Sequence, residues 1–315
     1  MARTANDSWD IATSVGATAV MVALARAAET DSTDPLIRDQ FAEPLVTTPE
    51  LEGVREQVAA WWAEDDDPDS TVDSQQMIDY QAVRTHFFDE YFTDAVAGGI
   101  RQVVILAAGL DSRAYRLDWP AGTVVYEIDL PKVLEYKSQT LAGHGATPIA
   151  DRRAVPVDLR HDWPQALRDA GFDASRPTAW LAEGLLPFLP AAAQEALFAS
   201  VDALSGPGSR VAVENFGVDQ AKRQEAEERW ANLKAKREAR GQDTSFNPFD
   251  LWFDDGGRPD CADWFAAHGW STRTVNAREE ALRLGRAPQS EERRPVVKAR
   301  PSVREQVPPP APPEQ

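Results

Sequence analysis

The chain has 315 residues, 33 of them Lys or Arg and 51 Asp or Glu, which gives a formal net charge of −18. With 43% hydrophobic and 27% charged residues the composition is globular, and the length suffices for one large or two small cores. The negative field opposes phosphate neutralisation and excludes a general nucleic-acid binder, while the single cysteine, Cys261, excludes an internal disulfide framework and a multi-Cys zinc site.

In chain order, Ala12 to Ala28 is apolar but short, interrupted by Ser14, Thr18 and Arg26 and preceded by Asp7 and Asp10. It therefore reads as neither a membrane span nor a secretory leader, and a cytoplasmic protein without a membrane partner is expected. Apolar residues recur at three and four from Ser8 to Ala97, which predicts helices, with Ser8 or Asp10 as the first cap. Glu64 to Asp69 reads as a solvated acidic loop and Asp73 to Val96 as a further helix ending at Gly98 and Gly99.

The period then changes. Gln102 to Ala108 is a continuous apolar run closed by Gly109, as expected of a parallel strand buried on both faces. Thr123 to Asp129, Arg153 to Asp158, Thr178 to Glu183 and Ser209 to Glu214 are further strand candidates, and Pro156 suits the third to a sheet edge. Helical segments fall between them at Pro131 to Leu141, Trp163 to Ala170 and Ala191 to Leu204. Strand and helix alternating at this spacing predict a doubly wound, mostly parallel α/β sheet. Asp219 to Arg240 reads as an exposed helix; Gly269 to Val275 and Val296 to Arg300 are weaker strands. The expected division is a helical N-terminal cover over residues 1–97, an α/β domain over 98–300 and a disordered Pro-rich tail over 301–315.

In such a sheet ligands bind beyond the carboxyl ends of the strands, where the strand order reverses. Those ends carry Gly109 and Asp111, Glu127 and Asp129, Asp158, and Glu183. The turn Ala107-Ala108-Gly109-Leu110-Asp111-Ser112-Arg113 has one glycine and an acid where a dinucleotide fold would seat phosphate. It disfavours NAD, FAD and nucleoside triphosphates and admits a nucleoside ligand. Asp129 lies 20 residues beyond Gly109, the separation at which a carboxylate takes the ribose hydroxyls. Glu127 shares its face of the strand and could serve instead; Asp158 is placed for an adenine amine, with Leu159 against the ring. His86, His144, His161 and His268 show no paired ligand spacing, so no metal is expected.

The segments Ser8 to Gly16, Val103 to Leu117 and Glu127 to Leu134, extended by Val155 to Arg160 and Trp180 to Leu186, resemble the mycobacterial S-adenosylmethionine-dependent methyltransferases related to leucine carboxyl methyltransferases. The resemblance covers residues 8 to 217 and implies a class I methyltransferase (Rossmann-like) fold with S-adenosyl-L-methionine as cofactor. By it Asp129 would hold the ribose, Asp158 and Leu159 the adenine, and Arg84 the methionine carboxylate, with Glu183 facing the methionine end. Arg84 also reads as an arginine tying a cover helix to a surface acid. The family's more usual Thr is Ser112 here, and the chain after Glu279 departs from the ordinary family end.

The expected reaction is O-methylation of a carboxylate or hydroxyl on a small hydrophobic acceptor. No catalytic base is assigned; His86, Tyr80 and Glu183 are the candidates should an acceptor need one. Trp61, Trp62, Phe87, Phe88, Tyr91 and Phe92 would either line an acceptor pocket or pack the cover onto the sheet. The alternatives are an NAD(P)-dependent oxidoreductase, disfavoured by the missing triple-glycine turn, and a non-catalytic nucleoside-binding scaffold.

Overall fold

The computed structural model describes residues 15–62, 68–215, 251–253, 257–286 and 300–305, with isolated positions between 228 and 241. Four helices come first: α1 (Val15–Thr30), α2 (Ala42–Val46), α3 (Glu52–Trp62) and the long α4 (Pro68–Ala97). The predicted cap at Ser8 or Asp10 lies outside the described residues. Pro68, assigned above to the acidic loop, instead opens α4: its missing N–H falls where a helix has no internal acceptor for it.

The rest alternates as expected: β1 (Gln102–Leu106), α5 (Arg113–Arg116), β2 (Val124–Asp129), α6 (Pro131–Gly143), β3 (Asp151–Pro156), α7 (Trp163–Asp169), β4 (Thr178–Ala182), α8 (Ala191–Ala203) and β5 (Arg210–Asn215). Then come α9 (Cys261–Ala267), β6 (Ser271–Thr274), α10 (Ala277–Arg283) and β7 (Arg300–Glu305). The exposed helix expected over Asp219 to Arg240 falls mostly outside the described residues.

The seven strands form one sheet in the order β3-β2-β1-β4-β5-β7-β6. Strands β1 to β5 are parallel, and β7 runs antiparallel between β5 and β6. Pro156 ends β3, the sheet's edge, where a missing N–H costs no ladder bond on the open side. One expectation is corrected here. Arg300–Glu305 is a strand inside the sheet, pairing Ala212 with Val303, so the tail does not begin at residue 301. Its sequence, Arg-Pro-Ser-Val-Arg-Glu, has neither an apolar run nor clean alternation, and its place is set by pairing with β5.

Each strand feeds two cores, because successive side chains point to opposite faces. Val103 and Ile105 join Val20, Leu45, Phe88 and Phe92 on the face covered by α1 to α4. Val104 and Leu106 join Trp163, Phe198 and Phe265 on the other. The N-terminal helices thus share a core with the sheet. Phe87, Phe88, Tyr91 and Phe92 are all buried in that core, so packing is what they do; Trp61 and Trp62 lie outside the described side chains. No helix among the described residues is long and apolar enough to cross a membrane.

At the centre of the second core Trp180 is fully buried, with the rings of Phe172 and Trp163 at 5.4 and 6.3 Å. Removing an aromatic from such a site costs the transfer energy and leaves a cavity. Trp180→Ala should lower the unfolding free energy by about 4 kcal/mol, read from the midpoint of urea denaturation at unchanged slope.

Candidate active site

Strand order reverses between β1 and β4, so the crevice beyond their carboxyl ends is the natural ligand site. The turn leaving β1 is tightly wound. Ala107 has φ +53°, the one non-glycine in the left-handed region among the described residues, and Gly109 follows with φ +45°. A left-handed alanine costs on the order of 1 kcal/mol, a cost that tends to collect where backbone must face a ligand. A Cβ at Gly109 would come within 3.5 Å of the Ala19 methyl of α1, so the first helix lies directly against this turn.

Asp129 ends β2 beside the same turn and accepts from Gly109 N at 2.6 Å and Leu130 N at 2.7 Å. Burial pushes its carboxyl above the usual range, against the pull of those two amides and of Lys137. Asp158 follows β3 and accepts from Arg160 through the backbone N at 2.8 Å and Nη2 at 2.6 Å. Partial burial works to raise its carboxyl, but the Arg160 bonds prevail and hold it below the ordinary value. Leu159 is half-buried on the second core. The β2 and β3 ends are adjacent, since Asp129 pairs with Pro156 and its carbonyl accepts from Val157 N at 3.0 Å.

Glu127, the other candidate for the ribose, is excluded from that role. It is fully buried and takes Lys137 Nζ at 2.8 Å and Arg152 Nε at 2.7 Å. Two residues back along β2 on the same face, it sits below the strand end and not at it. Lys137, also fully buried, donates in addition to the Asp111 carbonyl at 2.9 Å and so supports the β1 turn from beneath.

Sequence reasoning did not foresee the ionic network across the mouth of the crevice. Arg113, almost wholly buried, meets Asp89 of α4 at 2.7 Å, Glu183 after β4 at 2.6 Å, and the Asp111 carboxylate beside it. Arg116 holds Asp89 from the other side, and Ser112 Oγ donates to Asp39 at 2.7 Å, the contact its retained hydroxyl makes. Arg84 does tie a cover helix to acids, but to acids at the strand ends: the partly buried Glu183 at 2.7 Å and the buried Glu214 at 3.2 Å. Asp111 and Arg113 were visible as motif letters; Asp39, Asp89 and Glu214 lay too far away in sequence to be joined to them.

His86 does not face this site. It lies on the opposite side of α4 from Arg84, 3.6 Å from Glu90. His86, Glu90 and Glu280 bring ligand atoms within 4.8 Å of one another, a grouping that spacing could not show. Arg283 already neutralises Glu90 at 3.2 Å and also pairs with Glu280. Tyr80 Oη donates to Glu214, and burial together with that carboxylate raises the phenol well above its usual range, so it stays protonated.

The donor set is carboxylate-rich, and Arg84, Arg113 and Arg116 are each committed to acids. That suits hydroxyls and a cationic ligand and does not suit a pyrophosphate. A Rossmann-like fold with a nucleoside-compatible, carboxylate-lined switch point defines the class I methyltransferases.

Comparison with known sequences gives the family. A family model described as leucine carboxyl methyltransferase matches residues 19–202. A Mycobacterium marinum protein that bears the name of an S-adenosyl-L-methionine-dependent methyltransferase is 78% identical over 298 residues, covering 93% of this chain and 96% of its own. A Mycolicibacterium paratuberculosis protein of the same name is 58% identical over 286 residues, covering 90% and 88%. Among solved structures, a Synechocystis magnesium protoporphyrin IX methyltransferase with bound SAH aligns at 13% identity and a TM-score of 0.43, covering 81% of this chain and 95% of that one. The chain belongs to the leucine carboxyl methyltransferase family and is an S-adenosyl-L-methionine-dependent methyltransferase.

The ion pairs set a pH dependence. Burial would raise the Asp111 carboxyl, but Arg113 and Lys137 overcome it and bring it down to about 2 from an ordinary 3.8. A carboxyl lowered on folding stabilises the native state above its unfolded value, and that contribution is lost as pH falls toward the folded one. Stability should therefore drop by about 2 kcal/mol between pH 5 and pH 2 on account of this group, and Asp111→Asn should flatten that part of a urea-midpoint against pH curve.

Proposed function

We propose that the enzyme methylates a carboxylate or hydroxyl oxygen on a small hydrophobic acceptor, with the cofactor seated across the ends of β1, β2 and β3. The observation that carries the cofactor placement is Asp129, fixed by Gly109 N at the strand end while the neighbouring Glu127 is sealed by Lys137 and Arg152. On this reading Asp129 takes the ribose hydroxyls, Asp158 and Leu159 the adenine, and Gly109 keeps the turn low enough for the nucleoside. Arg84 and Glu183 meet the amino-acid end. The family supports a carboxylate as the receiving group, and the net charge of −18 favours a small molecule over an acidic polypeptide.

The bound cofactor supplies an electrophilic methyl on a sulfonium, whose departing thioether is neutral. The protein's share of the work is then orientation and exclusion of water. A carboxylate acceptor needs no base. The residues near the strand ends agree with this: Tyr80 is protonated and engaged with Glu214, Glu183 is shared between two guanidinium groups, and His86 is on the far side of α4.

Titration calorimetry with S-adenosylmethionine and S-adenosylhomocysteine tests the reading. The parent should bind both, and Asp129→Ala should weaken each by roughly ten- to a hundredfold, the worth of hydrogen bonds to a charged acceptor. No binding by the folded parent would sink the placement.

A further inference from the structure

We infer that Glu214, at the end of β5, is a positioning residue for the amino-acid end of the cofactor, acting through Arg84 and the Glu183-Gly184 peptide. The inference rests on the cofactor placement above and adds a residue that touches no ligand in it. Glu214 is fully buried. Such a carboxylate costs several kcal/mol unless its lone pairs are filled, and here donors from three directions fill them. Oε1 accepts from Tyr80 Oη, and Oε2 accepts from Gly184 N at 2.6 Å. Arg84 Nη1 lies between the oxygens at 3.3 and 3.2 Å. Burial raises the Glu214 carboxyl, while Arg84, Tyr80 and Gly184 pull it back.

The geometry joins the two groups assigned to the methionine end. Gly184 has φ +66°, a turn that directs the preceding Glu183 toward Arg84 and Arg113. Glu214 pins the amide of that turn and, with the same carboxylate, one face of Arg84, whose other contact is Glu183 itself. Glu183, Gly184 and Arg84 therefore cannot shift independently while Glu214 is in place. Tyr80, one helical turn before Arg84 on α4, closes the arrangement from the cover side.

Glutamine replaces this carboxylate only in part. With its Oε1 on Gly184 N, its NH2 meets Tyr80 Oη, which can accept, and Arg84, which cannot, and the charge that pairs with Arg84 is lost. Arg84 is then held more weakly to the Gly184 turn.

Two ligands separate positioning from mere support. S-adenosylhomocysteine carries the amino-acid end, whereas methylthioadenosine has the same nucleoside and thioether without it. Calorimetry on the full chain should show Glu214→Gln weakening S-adenosylhomocysteine about tenfold while methylthioadenosine changes less than about twofold. Tyr80→Phe removes one donor, and should give the same selective loss at about threefold; it decides the matter if Glu214→Gln fails to fold. Equal losses for both ligands, or none, in the folded variants would overturn the inference and leave Glu214 a structural staple. A folded parent that binds neither ligand overturns the cofactor placement itself, and this inference with it.

Discussion

The mouth of the crevice depends on one buried cation. Arg113 stands where the turn after β1, the long cover helix α4 and the loop after β4 converge, and it takes a carboxylate from each: Asp111, Asp89 and Glu183. A guanidinium with five donors in a planar fork can satisfy three acids at once, which an ammonium cannot do in fixed geometry. Burial opposes its charge, and the three acids more than restore it. Without Arg113 those acids would repel one another in a region that excludes water; with it they tie the helical cover to the sheet.

Around that cation the network passes outward in both directions. Arg116 and Arg26 carry it through Asp89 and Asp39 to α1, and Arg84 carries it through Glu183 to Glu214 and Tyr80. Beneath it, Lys137 and Arg152 neutralise Glu127 inside the sheet layer. A buried ion pair is weak evidence for stability, because desolvation offsets attraction. Here the pairs lie at the strand ends where we propose that the cofactor sits, and on that reading what they supply is fixed geometry for groups that meet a charged, polar molecule.

Much of the fold was legible in the sequence. Continuous apolar runs such as Val103-Val104-Ile105-Leu106 announce strands buried on both faces, and those runs lie in β1, β2, β4 and β5 within a residue or two of their predicted ends. The same reasoning failed at Arg300–Glu305, whose residues carry no such run and whose strand character comes from pairing between β5 and β6. Asp129 and Asp158 were singled out because ligand-facing positions in this architecture follow the strands directly, and the structure puts both at adjacent strand ends. Glu127 was not separable from Asp129 by period alone, since alternate residues share a face; the cations that seal it come from α6 and β3.

The sequence by itself determined the parallel α/β sheet, the turn at Gly109 and the acid at Asp129, because these follow from local periodicity and from spacings within a single strand-turn-helix unit. Tertiary structure alone decided which acids pair with a buried cation. Asp89 lies 24 residues from Arg113, Glu183 lies 70 residues from it, and Glu214 lies 130 residues from Arg84. A charge in a sequence shows no partner at such separations. Only the packing of α4 across the ends of β1, β4 and β5 brings those groups into contact and removes the water that would otherwise screen them.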